Sequence, residues 1–229
     1  MKTTLLTACV IIALSIGASA AVVVTTDSVA SEAQTVYNPQ ISSTDLLQTS
    51  LLSVDSTGNF TQEGTAGIPA LYDGGFGLGR DVGTATTGDG RVLTFNLDLA
   101  ASPTGYTIGS INTYGGWSDG GRDAQGYTVF YSTASAPTTF TLLATAPVFN
   151  PAVANSRPGN RISISDDAGN LATNVAAVRF TYSNIENGYT GTKEIDIIAV
   201  PEPSTTSAFV LGSFAIAGLY FRRRQALAS

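Results

Sequence analysis

One loop of the chain combines the residue types that bind sugars. Trp117, the only tryptophan in the sequence, stands among glycines and next to Asp119 and Arg122. Sugar rings stack on aromatic faces, and carboxylates and guanidinium groups form hydrogen bonds with hydroxyls. We therefore predict a ligand site at Trp117, Asp119 and Arg122, with Tyr189 on the same rim. The alternative is structural: Trp117 would cover one end of the fold, and an arginine–aspartate pair would fix the loop.

The sequence contains few of the residue combinations that enzymes use for catalysis. The chain has no histidine, and its one cysteine, Cys9, lies near the amino terminus. This excludes Ser-His triads, most zinc sites and thiol chemistry in the body of the chain. Asp166 and Asp167 are neighbours, but adjacent residues of a strand point to opposite faces and would not flank one glycosidic bond. A turn at Asp166-Asp167 is the simpler interpretation, so we predict no enzymatic activity.

The amino-terminal segment has the pattern of a signal peptide. Lys2 supplies a positive charge, Leu5 to Gly17 is apolar, and Ala18-Ser19-Ala20 is a small-residue cleavage site. A segment with this pattern directs export and is cleaved from the mature protein. We predict a cleavable signal helix over residues 1–20, cleavage after Ala20 with Ala18 and Ala20 at the cleavage motif, and export by the Sec machinery.

The carboxyl-terminal segment has three distinct parts. Pro201-Glu202-Pro203 is followed by the uncharged residues 204–221. Two prolines interrupt regular structure, and eighteen helical residues span roughly 27 Å, close to the thickness of a bilayer core. A transmembrane helix is therefore predicted at about 204–221. Its end is marked as cytoplasmic by a basic cluster, Arg222, Arg223 and Arg224.

This tail (Pro201, Glu202 and Pro203, the apolar helix and the arginine cluster) resembles the PEP-CTERM sorting signal. The resemblance implies processing by an exosortase, a membrane-embedded cysteine transpeptidase, with a cut at or near Pro203-Ser204. It also implies a transient stay in the inner membrane, followed by release to the cell surface or the extracellular matrix. The alternative is an ordinary membrane anchor that is never cleaved.

The charge of the mature chain is strongly negative. In the mature chain, about residues 21–203, seven basic residues face seventeen acidic ones, a net charge of −10 instead of the −6 of the full chain. An acidic exported domain is a poor partner for nucleic acid or anionic lipid. The same charge is compatible with cation binding.

The pattern of the body of the chain, residues 21–199, predicts one antiparallel β domain. Several runs alternate apolar and polar residues with the two-residue period of a strand. Turn clusters separate them at Ser102–Gly105, Ala136-Pro137, Arg157–Asn160 and Asn187-Gly188. Two further elements are expected near the start: a strand at Val22–Thr26, and a short helix within Ser43–Leu52 capped by Thr44-Asp45. The fold class is therefore all-β, a single antiparallel β-sandwich of the jelly-roll type. Its predicted strands are 92–99, 106–114, 127–132, 140–145, 161–165, 177–182 and 194–198.

The order of motifs in this domain resembles the discoidin, or coagulation factor 5/8 C-type, galactose-binding-like family over about residues 60–199. The motifs are Leu71–Gly75, Ile108–Tyr114, Gly126–Ser132, Val178–Phe180 and Glu194–Ile198.

The discoidin-like resemblance implies a structural calcium ion held by Asp73, Glu194 and backbone carbonyls. Calcium prefers six to eight hard oxygen ligands, which an acidic, glycine-rich turn can supply. The alternative is that Asp73 only shapes a turn and that Glu194 pairs with Lys193 or Arg179.

Together these features predict an exported, exosortase-sorted protein that binds glycan or exopolysaccharide without catalysis. Two other functions stay open: a structural or adhesive matrix protein without a small ligand, and, less favoured, an enzyme acting on polysaccharide.

Overall fold

The computed structural model describes residues 21–78, 82–118, 121–150, 157–167, 169–183 and 186–201. Several predictions lie outside these residues: the signal segment with Ala18 and Ala20, the candidate ligand residue Asp119, and the tail from Glu202 and Pro203 through Arg222, Arg223 and Arg224. Within the described part of the chain, no helix is long and apolar enough to cross a membrane.

The described residues form ten β-strands and two short α-helices. The helices are α1, Ala33–Tyr37, and α2, Leu46–Thr49. Single 3₁₀ turns occur at Asn38–Gln40, Gln62–Gly64, Ile68–Leu71 and Glu186–Gly188. The strands are β1 Val22–Val29, β2 Leu51–Thr57, β3 Ala85–Thr87, β4 Val92–Leu97, β5 Tyr106–Gly116, β6 Gln125–Thr133, β7 Ala136–Phe149, β8 Gly159–Asp166, β9 Ala172–Tyr182 and β10 Thr190–Ala199.

Hydrogen-bonded ladders arrange the strands in two sets of five, and every pair is antiparallel. The first set has the order β1-β8-β5-β10-β3. The second has the order β2-β4-β9-β6-β7. The sets meet where Tyr106 and Ile108 of β5 pair with Val175 and Ala172 of β9. This confirms the predicted all-β antiparallel class.

Inward-facing side chains of both sets share one apolar cluster. Phe95, Val129 and Phe180 from the second set and Ile111 and Ile164 from the first are all fully buried members of it. A buried side chain of this size contributes roughly 1.5–3 kcal/mol. The two sets therefore pack against each other with the core between them, as the layers of a sandwich do.

Two predicted turns are displaced. The turn expected at Ala136-Pro137 is wrong, because β7 begins at Ala136 and the turn occupies residues 134–135. Proline is tolerated here because β7 pairs only with β6 and is an edge strand, so no ladder bond is lost. The turn at Arg157–Asn160 is also partly wrong, since β8 already begins at Gly159.

A second layer covers the outer face of β5 and β10. The predicted helix is confirmed as α2, whose Leu47 amide donates to the side chain of Asp45 at 2.6 Å. Nearby, Tyr37 of α1 stacks on Phe76 at 5.6 Å and meets Tyr114 of β5 edge-on at 5.5 Å. These three rings and Ala33 form an apolar cluster separate from the main core, whereas Leu46 and Leu47 of α2 pack into the main core itself. β10 is buried on both faces from Thr190 to Ile197.

We expect Gly105 and Gly90 to respond differently to replacement by alanine. Both have a positive φ, +82° and +72°, but a Cβ at Gly105 would lie 2.4 Å from the Asn174 carbonyl carbon, while one at Gly90 meets nothing within 4 Å. Gly90→Ala should cost about 1–2 kcal/mol of unfolding free energy through its backbone conformation. Gly105→Ala should cost about 1–3 kcal/mol more through overpacking. Equal losses in urea unfolding would contradict this close approach of β9.

Candidate functional site

Trp117 is buried at one end of the fold. It directly follows β5, and only 6% of its surface is exposed. The indole lies against the backbone of β10: a Cβ added to Gly191 would be 2.5 Å from its Cε3 atom. Gly191 therefore makes room for the ring. The ring faces of Trp117 are not open for stacking on a sugar, which agrees with the structural alternative for this residue.

Arg122 and Tyr189 lie directly beside Trp117, as predicted. The Arg122 guanidinium lies over the Tyr189 ring at 4.3 Å and over the Trp117 ring at 5.6 Å. Arg122 Nη1 forms an ion pair with Glu63, and the Tyr189 hydroxyl donates to the same carboxylate. Desolvation and this hydrogen bond raise the pKa of Tyr189, so its hydroxyl stays protonated and acts as a donor. Among the described residues, Arg122 forms its ion pair with Glu63, while Asp119, a candidate for the expected arginine–aspartate pair, lies outside them.

Arg91 is a further member of this group that sequence reasoning missed. Its guanidinium lies 5.6 Å from the centroid of the Tyr189 ring. It donates to the Thr86 carbonyl at 2.7 Å and to the side chain of Gln62. No described carboxylate forms an ion pair with it, and burial lowers its pKa.

We call Glu63, Arg91, Trp117, Arg122 and Tyr189 the rim cluster. The sequence does not indicate that Glu63 and Arg91 belong to this site, because both lie far from Trp117 along the chain and come close to it only in the folded structure. The cluster presents the Arg122 guanidinium, the Glu63 carboxylate and the Tyr189 phenol at the end of the domain. Arg91 is buried beside them and donates to Thr86 and Gln62. Such an arrangement can bind hydroxyl and carboxylate groups.

Asp73 and Glu194, the predicted calcium ligands, are brought together. Glu194 is fully buried on β10, and its Oε2 accepts from the Gly74 and Gly75 amides at 2.9 and 3.1 Å. Asp73 lies at the exposed turn and accepts from the Gly75 amide at 3.1 Å. The alternative partners of Glu194 have other contacts, since Lys193 donates to Thr84 and Arg179 donates to Thr94.

The environment of Glu194 fits a hard cation. Its second oxygen, Oε1, is buried and accepts no hydrogen bond from a described donor, and the carboxyl of Glu194 interacts directly with that of Asp73. Burial, together with the neighbouring carboxylates Asp73 and Asp196, raises the pKa of Glu194 to about 9. Such a carboxyl needs either a proton or a cation. The described residues contain no group of three or more acidic, histidine or cysteine side chains suited to a metal. Further ligands would therefore be backbone carbonyls or water.

The Asp166-Asp167 pair is confirmed as a strand end and turn. Asp166 is the last residue of β8, and Asp167 lies in the turn that follows. Asp167 accepts a hydrogen bond from the Ala21 amide at 3.0 Å. This aspartate pair therefore anchors the start of β1 to the end of β8.

In the absence of divalent cations, the domain should lose stability as the pH rises from 5 to 8. The folded pKa of Glu194, about 9, lies above its ordinary value of 4.5. A group with a raised folded pKa stabilises the fold below the unfolded pKa, and this contribution is lost as pH rises toward the folded pKa. Over three pH units the loss from one group is at most about 4 kcal/mol.

Glu194→Gln keeps the shape and removes the titration, so its unfolding free energy should vary less with pH in chelator. The measurement is urea unfolding at pH 5, 6, 7 and 8. Parallel pH profiles for the two proteins would show that Glu194 is not held as a neutral acid.

Several solved structures are similar to this chain in fold. The family 32 carbohydrate-binding module of C. perfringens NanJ, in complex with galactose, has 12% identity and a TM-score of 0.43, covering 63% of this chain and 91% of that one. The lectin domain of lectinolysin with Lewis b antigen has 11% identity and a TM-score of 0.43, covering 69% and 98%. A chitosan-binding module from a Paenibacillus sp. IK-5 chitosanase/glucanase has 15% identity and a TM-score of 0.40, covering 67% and 98%. No functional conclusion follows from similarity at this level.

No curated protein matches the chain. The PEP-CTERM protein-sorting motif matches residues 199–224. This confirms the resemblance seen in the tail, and the motif indicates export, sorting at the membrane and processing by an exosortase. The chain carries a PEP-CTERM sorting motif at its carboxyl terminus, directly after the last strand of an all-β domain.

Proposed function

We propose that this protein is an exported component of the cell surface or extracellular matrix that binds glycan, without catalysis, through the rim cluster. The observation that carries the proposal is the convergence of Arg122, Tyr189, Glu63 and Arg91 around the buried Trp117. These residues supply both donors and an acceptor for sugar hydroxyls. Trp117 packs against Arg122 and Tyr189 and holds them in place, instead of stacking on the sugar.

The position of the rim cluster relative to the tail supports display of the site. Tyr189 precedes the first residue of β10, and Pro201 follows two residues after its last, Ala199. Ten extended residues span about 33 Å. The rim cluster and the point where the sorting tail leaves the domain are thus at opposite ends of β10. A domain held at its carboxyl end would present the cluster away from the membrane or surface.

The start of the mature domain lies near the same end as the tail. The Ala21 amide donates a hydrogen bond to the side chain of Asp167. Val200 and the Gly169 carbonyl both lie beside Gly109: a Cβ added to Gly109 would be 3.1 Å from the Val200 side chain and 3.6 Å from the carbonyl oxygen. Signal peptide and sorting helix would therefore both leave from the end opposite the rim cluster. This suits a precursor held transiently at the inner membrane after Sec export.

We further propose that Asp73 and Glu194 bind a structural calcium ion, as the discoidin-like resemblance implies. The buried Glu194 Oε1, which accepts no hydrogen bond from a described donor, supports this role. The jelly-roll version of the sandwich is part of the same proposal and is supported by two five-stranded sets around one core.

The second candidate function is a structural or adhesive matrix protein. The burial of Trp117 favours it, as do the exposed apolar side chains Leu142 and Val148 on the edge strand β7. An enzyme acting on polysaccharide is less favoured, because within the described part of the chain the adjacent carboxylates Asp166 and Asp167 form a strand end and turn and do not flank a groove.

Glycan binding should depend on Arg122. The exported protein, screened on a glycan array, should bind at least one polysaccharide, and Arg122→Ala should weaken that binding by about 10- to 100-fold, as expected for hydrogen bonds to a charged group. Arg157→Ala is the matched control, because Arg157 also pairs with a glutamate, Glu32. No described ion pair or ring contact joins its side chain to the rim cluster, and its backbone amide, which donates to Ser118, is kept in the variant. A folded protein that binds no glycan would favour the structural matrix role.

Calcium should raise the melting temperature at pH 8 and less at pH 5, because the ion binds the ionised carboxyls. At 100 times Kd the stabilisation is about 2.7 kcal/mol, or roughly 5–10 °C for a domain of this size. Asp73→Asn should abolish most of this response, whereas Asp55→Asn, on the distant strand β2, should keep it. A calcium response that survives Asp73→Asn and Glu194→Gln would place the ion elsewhere.

A further inference from the structure

We infer that Glu63 is a built-in competitor for the ligand, and that the rim cluster takes glycans carrying carboxylate groups, such as uronic acid units. This inference rests on the proposed glycan-binding function and names the ligand class and the regulation of that site.

The turn Gln62–Gly64 places two side chains on the guanidinium groups of the rim cluster. Gln62 accepts from Arg91, and Glu63 binds both Arg122 and the Tyr189 hydroxyl. Side chains of this one turn thus accept hydrogen bonds from all three donor residues of the cluster, Arg91, Arg122 and Tyr189. The Glu63 carboxylate already occupies the place where a ligand carboxylate would meet a guanidinium and a phenol.

This turn is held in a costly conformation. Glu63 has φ 55° and ψ 26°, the left-handed region, where a residue other than glycine costs roughly 1–2 kcal/mol. Gly64 follows with φ +72°. The contacts of Glu63 with Arg122 and Tyr189 offset part of this cost. If a ligand supplies the carboxylate instead, Glu63 is released from its conformation and strain is relieved.

The charge of the cluster favours an anionic ligand. Arg91 is 8% exposed and has no carboxylate partner among the described residues. Burying an unpaired charge costs several kcal/mol. With Arg91, Arg122 and Glu63, the cluster carries a net charge of about +1 within a mature chain of −10. A ligand carboxylate would balance this charge, whereas a neutral sugar would leave it unchanged.

The geometry of Arg122 also suits a carboxylate. Its guanidinium lies over the Tyr189 ring at 4.3 Å and over the Trp117 ring at 5.6 Å, and these contacts restrict the orientation of its donors. Glu63 engages Nη1, while the buried Nε has no partner. Carboxylates bind arginine most strongly through two parallel hydrogen bonds. The side chains of Arg122 and Glu63 keep 24% and 33% of their surface exposed, so a ligand can reach the pair.

The test compares Glu63 variants of the full chain, expressed with its own export signal and purified in detergent micelles. Calorimetric titration with polygalacturonate should give an affinity about 3- to 10-fold higher for Glu63→Gln than for the wild type. Glu63→Gly should show the same gain in affinity. Because glycine adopts the left-handed conformation without a steric cost, this variant should also keep the free energy of unfolding of the wild type. Titration with an uncharged galactan should show no such gain.

Glu32→Gln is the matched control. Glu32 is also a glutamate with a positive φ, 52°, and it also pairs with an arginine, Arg157. Its ion pair is with Arg157, which is not part of the rim cluster, so its substitution should leave both titrations unchanged. Trp117 provides a second readout, because the fluorescence of the only tryptophan should change when the neighbouring Arg122–Glu63 contact is replaced.

The outcomes separate the two proposals. Binding of galactan by the wild type, with polygalacturonate no tighter in either Glu63 variant, overturns the inference and leaves the glycan-binding function standing. Weaker polygalacturonate binding by both variants also overturns it, since Glu63 would then be a ligand contact. No binding of either polymer by any folded variant overturns the glycan-binding function itself.

Discussion

The burial of β10 on both faces is the constraint on which the rest of the structure depends. One face belongs to the core shared by the two strand sets, which also includes Leu46 and Leu47 of α2. The other face is covered by the loop around Phe76 and by the segment at Ser42. Consequently the polar residues of β10 cannot reach solvent by turning outward. Glu194 and Asp196 must find backbone donors, a proton or a cation within the protein, and each is held by amides of the covering segments, Gly74 and Ser42.

Both candidate sites are built on this strand. Tyr189 stands immediately before β10, Gly191 gives the Trp117 ring its place, and Glu194 contributes the buried carboxylate. A change in how β10 packs would therefore move the rim cluster and the Asp73–Glu194 pair together. This shared support gives a physical reason why an ion bound at Glu194 could stabilise a glycan site that it does not touch. The ion would hold the turn at Asp73 and the strand that carries Tyr189 in one arrangement.

The sequence predicted the strands with clear alternation and missed those without it. β4, β5 and β9 were found because their core residues recur every second position. β2 and β3 were not, since β2 is an edge strand with few apolar residues and β3 has only three residues, all small. Trp117, Arg122 and Tyr189 could be proposed from residue type and glycine-rich surroundings. Glu63 and Arg91 could not, because their proximity results from long-range packing and leaves no spacing in the sequence.

The contrast between Trp117 and Arg122 shows why residue type alone does not define a sugar site. Trp117 has the chemistry of a stacking platform, but its buried indole packs against the β10 backbone at Gly191. The ring instead forms one wall against which Arg122 is held, with Tyr189 as the other. Aromatic surface thus fixes the orientation of a charged donor at the solvent boundary. In the proposed glycan site, recognition would depend on hydrogen bonds and charge, and the affinity would depend on how readily the ligand displaces Glu63 from Arg122.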